Sequence, residues 1–283
     1  MSEIAMTHKS IETEFKLKKP ITKNLEKETR IPIIPKAATL KSAKLQENAP
    51  VKKKIDYLVS DTELKSAPAI LELHKSGIQT SNIIKILSAG LLGLKKNRRL
   101  VPTRWSITAT DDTLSKHYLK KVKLFQEISE FQVFHADYLG NHYNFLLLPD
   151  KYSFEVIEIS LRYKGGVWSD YESFFPRKKY ADSVTGAYYA NRLALMEYLI
   201  KIKRQAQCLV IREIRPEYYA PCGVGILRET SREAFNKKPE KFNTLKEALT
   251  NIQTRLNQPI DNYTSRSELL KNFGKQKKLF EFF

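Results

Sequence analysis

The sequence predicts an α+β fold: helices flanking a mainly antiparallel sheet, with a weakly ordered basic N-terminal arm and a flexible C-terminal tail. Three observations carry this. Apolar residues recur at helical spacing up to about residue 128, as in Leu114, Tyr118, Val122, Phe125 and Ile128. The period then shortens to two over FQVFHADY (131–138), YNFLLLP (143–149) and FEVIEISL (154–161). A long helical stretch, 186–204, separates these from one further strand, 207–214. Helices, then strands, then helix lacks the regular alternation that builds a parallel sheet.

Residues 1–50 form the arm. They hold three prolines by residue 35, scattered lysines and no sustained period. Ile31, Ile33 and Ile34 offer the arm a way to drape over the core. The core is expected over residues 51–257. Its first helix is read from Ser60 to Gly77, with Ser60 or Asp61 as cap, Gly77 as stop and Pro68 as a kink or restart. A second helix covers about 81–92 through Ile83, Ile84, Leu87 and Leu91. A third begins at Asp111-Asp112, acting as its N-cap. The link LGNH (139–142) reads as a hairpin turn, because Gly140 and Asn141 accept positive φ. A last short helix covers 244–257. The polar stretch 258–275 reads as a tether, and 258–283 as tether plus terminal peptide.

Composition narrows the function. There are 49 basic and 31 acidic residues, a net charge of +18, which favours polyanionic partners and DNA above all. Hydrophobic residues make up 42%, with 14 Tyr and 14 Phe, enough for a sizeable core. Cys208 and Cys222 form no C-x-x-C pair, so neither a zinc ribbon nor a disulfide framework is expected. Cys208 sits in an apolar run and reads as core. No 18-residue apolar stretch and no signal-peptide pattern occur, so no membrane partner is expected and the location is read as cytoplasmic, at the nucleoid.

The chain ends on QKKLFEFF (276–283). In one tight turn Leu279 and Phe282 fall on one side, Phe283 widens the apolar plug, and Gln276 offers an amide one turn earlier. Such a turn fits a groove on a partner, with a few anchors carrying the affinity. Leu and two Phe supply roughly 5–8 kcal/mol before ordering costs. The four positions resemble a PCNA-interacting peptide, which implies a sliding-clamp partner bound through Gln276, Leu279, Phe282 and Phe283.

The most unusual internal run is LSAGLLGLKKNRRLVPTRWSITATDD (87–112). Two glycines, Gly90 and Gly93, precede five cations without an intervening acid: Lys95, Lys96, Arg98, Arg99 and Arg104. Trp105 follows, as a stacking platform or a core residue. Cations contact phosphates, an indole stacks on bases, and Thr103 and Ser106 add hydroxyls. DNA binding is therefore assigned to Lys95, Lys96, Arg98, Arg99, Arg104 and Trp105.

Catalytic patterns are weak, and enzymatic activity stays open. Asp111, Asp112, Asp137, Glu155, Glu158 and Asp170 are abundant carboxylates, but Glu155 and Glu158 would face opposite sides of a strand. His135, Asp137 and His142 near the hairpin would not gather round one ion. No phosphate-binding loop is present. Arg192, Arg212, Glu213 and Arg215 read as buried ion pairs or as a nucleotide-phosphate site. No cofactor is expected. Mg²⁺ enters only if the alternative holds, a metal-dependent nuclease or nucleotide-binding enzyme recruited by PCNA.

The run 87–112, with VSDTEL (59–64), DYLGN (137–141), LLLP (146–149), GAYYANRLALMEYL (186–199) and VIREIRPEY (210–218), resembles the archaeal Nre family of DNA repair proteins. The resemblance implies a role in DNA damage repair, with PCNA bound through a C-terminal motif. It also implies a longer N-terminal region with zinc-binding cysteines. This chain carries no cysteine before Cys208, so no structural zinc is expected.

Overall fold

A computed structural model describes residues 2–20, 39–162, 165–175, 177–218 and 223–274. The chain divides into two compact units, residues 1–114 and 115–283.

The first unit is mostly helical. Helix α1 (Ser2–Met6) is followed by a two-stranded antiparallel ribbon, β1 (Thr13–Leu17) and β2 (Leu40–Leu45). The arm expected to be weakly ordered thus carries regular elements in its described part. Met6 is buried, and Lys85 Nζ donates to the Thr7 carbonyl at 3.3 Å, fixing α1 against the helices below. Ile31, Ile33 and Ile34 lie outside the described residues. Next come α2 (Lys53–Ser60), α3 (Ser66–Lys75) and α4 (Thr80–Ser88). The helix read from Ser60 to Gly77 is therefore α3, which starts only at Ser66; Ser60 is instead the last residue of α2, a helix the sequence reading did not place. Asp61 ends α2 in extended conformation, and its carboxylate takes the backbone N–H groups of Glu63 and Leu64. Pro68 sits in the first turn of α3, where its missing N–H costs nothing. Ile55, Leu58, Ile70, Leu73, Ile83 and Ile86 bury the inward stripes.

Helix α5 runs Thr103–Val122, eight residues earlier than the Asp111 cap predicted. Asp111 is mid-helix and fully buried, so the aspartate pair is no N-cap.

The second unit is built on a six-stranded sheet, order β6-β5-β7-β4-β3-β8. Its strands are β3 (Phe131–Tyr138), β4 (Asn141–Leu148), β5 (Ser153–Ser160), β6 (Gly166–Glu172), β7 (Gln207–Ile214) and β8 (Glu240–Phe242). All neighbours are antiparallel except β5 and β7, which run parallel. The sheet is thus mixed and mainly antiparallel. The central strands β4, β5 and β7 are buried along nearly their whole length because both faces are covered. On one face Phe134, Phe145, Val156 and Val210 meet α6 (Gly186–Ile202) and α7 (Val224–Asn236). Helix α6 is apolar nearly all round because it is buried along most of its length. On the other face Val133, Leu146, Ile157 and Ile211 meet α8 (Leu245–Gln253), α9 (Asp261–Thr264) and α10 (Glu268–Asn272).

The predicted tether from 258 is therefore folded as far as Gly274, with Tyr263 and Leu269 buried. Buried Glu155 anchors it, accepting from the Glu268 and Leu269 backbone N–H groups at 2.9 and 3.1 Å and from the Ser267 hydroxyl. The hairpin turn uses Leu139 (φ 46°) and Gly140 (φ 74°), one residue earlier than the reading that placed it on Gly140 and Asn141.

Candidate nucleic-acid interface

The basic segment is shaped by what lies behind it. After α4 the chain reverses at Gly90 (φ +73°), where a Cβ would stand 2.4 Å from the Arg99 carbonyl oxygen. Only glycine fits so close an approach. The chain leading into α5 is tied back: Val101 N–H donates to Ser88 O at 2.9 Å, and the Ser88 hydroxyl donates to Val101 O at 2.7 Å. Lys95 begins a 3₁₀ turn (Lys95–Asn97) held by its N–H to Thr62 O at 2.8 Å.

Arg98, read from sequence as a DNA contact, is turned inward. Its guanidinium donates to Gly93 O at 2.8 Å, to Val59 O at 2.6 Å and to Asp61 O. It satisfies carbonyls at the end of α2, as a cation at a helix C-terminus does. With Arg98 pointing inward, Lys95, Lys96, Arg99 and Arg104 point to solvent. Trp105 is 62% exposed, which removes the core reading of that indole. Ser106 is fully buried and cannot meet a phosphate, whereas Thr103 is exposed. A cavity of about 410 Å³ opens beside the segment, lined by Lys65, Leu87, Leu92, Asn97 and Arg99 among others.

Of the carboxylates weighed for catalysis, Glu155, Glu158 and Asp170 are each held by partners of their own. Glu155 and Glu158 do face opposite sides of β5. Glu155 supports α10, while Glu158 pairs with Arg212 at 2.6 Å; burial pushes both carboxyls above their ordinary range. Asp170 accepts from Ser183 and Val184 N–H at 3.1 and 2.7 Å and pairs with Arg177 at 2.9 Å. Asp137 stands directly opposite His142 across the hairpin rather than diagonally. His135 Nδ1 lies 3.3 Å from Glu240, away from any shared ion site. Burial lowers both imidazole pKa values, helped by Arg255 at His135 and Arg215 at His142. Among the described residues no three His, Cys, Asp or Glu side chains gather as a metal site would require. The arginine set resolves into ion pairs: Arg192–Glu172 at 3.0 Å, Arg212–Glu158 at 2.6 Å and Arg215–Glu213 at 2.7 Å. Cys208 is fully buried, and burial raises its thiol pKa well above the ordinary value. Gln276, Leu279, Phe282 and Phe283 lie outside the described residues, as does Cys222.

Residues 1–169 match the archaeal Nre N-terminal family profile and residues 172–282 the archaeal Nre C-terminal profile. The chain belongs to the archaeal Nre family. This Nre chain is 35% identical to the DNA repair protein NreA of Archaeoglobus fulgidus, over 90% of its own length and 66% of that protein's. It is 35% identical to that organism's DNA repair protein NreB over its full length and 73% of the relative. The DNA repair protein NreA of Haloferax volcanii is 34% identical over 89% of this chain and 61% of its own. The Nre chain thus spans about two thirds of these relatives. No solved structure matches it significantly. Among the described residues no helix is long and apolar enough to cross a membrane.

The sequence reading passed over one exposed group. Trp168, Phe175 and Tyr180 are 38%, 77% and 56% exposed. The signal was present in FFPRKKY (174–180), where aromatics interleave with cations.

Proposed function

We propose that this Nre chain is a DNA repair factor that contacts DNA through Lys95, Lys96, Arg99, Arg104 and Trp105 and is recruited by PCNA through Gln276, Leu279, Phe282 and Phe283. The observation that carries the reading is the outward set of four cations and an exposed indole on a segment pinned from behind by Arg98. The names of the relatives supply the repair context. The net charge of +18 steers the chain to polyanions, and the clamp supplies local concentration. Asp170, Glu155 and Glu158 are engaged in structural contacts, which favours a binding factor over the nuclease alternative.

The test is DNA affinity against salt for the wild type and Arg99→Glu/Arg104→Glu. Each phosphate contact contributes about 0.9 to the log–log slope on duplex DNA, so the variant's slope should be shallower by about 1.8. An unchanged slope removes this segment from the interface. Calorimetric titration of an archaeal PCNA tests the second half. Micromolar binding by the full chain should vanish in Phe282→Ala/Phe283→Ala, and retained binding refutes the tail assignment.

A further inference from the structure

The aromatic group at the edge of the sheet is a built surface. Strand β6 is the terminal strand of the six, and Trp168, Asp170 and Glu172 share one of its faces. The loop after β6 folds back over that edge and is locked by Arg177. Its guanidinium donates to Tyr171 O at 2.9 Å and to Lys179 O and Tyr180 O at 3.3 Å each, and pairs with Asp170 at 2.9 Å. Asp170 in turn takes the Ser183 and Val184 N–H groups. The returning chain is fixed again where the Tyr189 hydroxyl accepts from Ala181 N–H at 2.9 Å. This scaffolding leaves Phe175, Lys178, Lys179 and Tyr180 turned outward.

The aromatics are also held in place. Tyr180 packs on Tyr189 at 4.7 Å between centroids. The Trp168 indole lies across Gly166, where a Cβ would come within 2.4 Å of the ring, so only glycine lets the indole lie there. Asp182 is the one acidic residue exposed in this loop, against Lys178 and Lys179. Exposed rings beside cations offer stacking faces and charge together. Adjacent lysines flanked by exposed rings suit a single strand, whose unpaired bases stack while its phosphates meet the cations. Paired bases of a duplex offer no free ring faces.

We infer that Trp168, Phe175 and Tyr180, with Lys178 and Lys179, form a second nucleic-acid site that takes single-stranded DNA by stacking. It lies in the C-terminal unit and rests on none of the residues assigned to the basic segment.

The two tryptophans of the chain give a direct test. In a full-length Trp105→Phe protein, Trp168 is the sole indole reporter. Oligothymidylate should quench its fluorescence saturably, and a duplex of equal length should do so at least tenfold more weakly. Phe175→Ala and Lys178→Glu/Lys179→Glu alter only exposed side chains, and each should weaken the single-strand titration by tenfold or more with an unchanged circular dichroism spectrum. Anisotropy that shows the oligonucleotide bound while Trp168 stays unquenched overturns the site and leaves the basic-segment reading intact. Equal quenching by duplex overturns the single-strand assignment. In the reverse protein, Trp168→Phe, the signal of Trp105 reports on the basic segment alone, so failure of one site is distinguished from failure of the other.

Discussion

Arg98 and Arg99 are adjacent and chemically identical, yet the structure gives them opposite duties. Truncating Arg98 to Ala removes donors to three backbone carbonyls, of Gly93, Val59 and Asp61. A hydrogen bond from a charged group contributes about 1.5–3 kcal/mol when buried. This site is half-buried, and water regains part of the carbonyls once the side chain is gone. A loss of about 2–4 kcal/mol follows for the three together. For a unit of 114 residues that corresponds to a fall of roughly 8–16 °C in its melting temperature. Arg99→Ala removes an exposed side chain and should shift the transition by less than about 2 °C. Scanning calorimetry of both variants, with DNA binding measured well below the transitions, separates the roles. The expected pattern is lost stability with near-normal DNA affinity for Arg98→Ala, and the reverse for Arg99→Ala. An Arg98→Ala protein that melts normally and binds DNA as weakly as Arg99→Ala would refute the structural role of Arg98.

Other perturbations have equally definite outcomes. Arg192→Met removes the ion-pair partner of the fully buried Glu172 carboxylate and leaves it the Tyr152 hydroxyl at 2.6 Å; chemical denaturation should show a loss of about 3–5 kcal/mol, partly restored by adding Glu172→Leu. Gly90→Ala places a methyl on the Arg99 carbonyl at positive φ and should cost more than about 2 kcal/mol, with weaker DNA binding because Arg99 is displaced; a normal melting curve refutes the close approach. His142 has a folded pKa below its ordinary 6.5, chiefly through burial, so the unfolded chain binds more protons there. Its stabilising contribution is therefore full above pH 6.5 and is lost as the pH falls from 6.5 through the folded value. His142→Gln should flatten the stability profile in that window, and an unaltered profile removes His142 from the acid response.

The order of helices and strands was legible where burial is symmetrical. Strand β7 falls on residues 207–214 as read, because its centre, CLVI (208–211), is apolar on both faces and both faces are covered. Helix α5 was misread at its start because buried Ser106, Thr108, Thr110 and Asp111 interrupt the apolar period that marks an inward face. Strand β6 escaped notice because GVWSDYE at the sheet edge is mostly polar; its carboxylates are buried against arginines rather than exposed. Helices α9 and α10 are too short to show a period. The start of α10 is held by Glu155, more than a hundred residues away in sequence.

By itself the sequence determined the α+β class, the central strands, the family and the basic segment with its two glycines. All of these follow from local period, composition and contiguous motif. The tertiary structure decided which cations face outward, that residues 258–274 fold onto the sheet, and that Trp168, Phe175 and Tyr180 share a scaffold. A guanidinium is committed by the carbonyls that surround it, and for Arg98 two of those belong to Val59 and Asp61, nearly forty residues back along the chain.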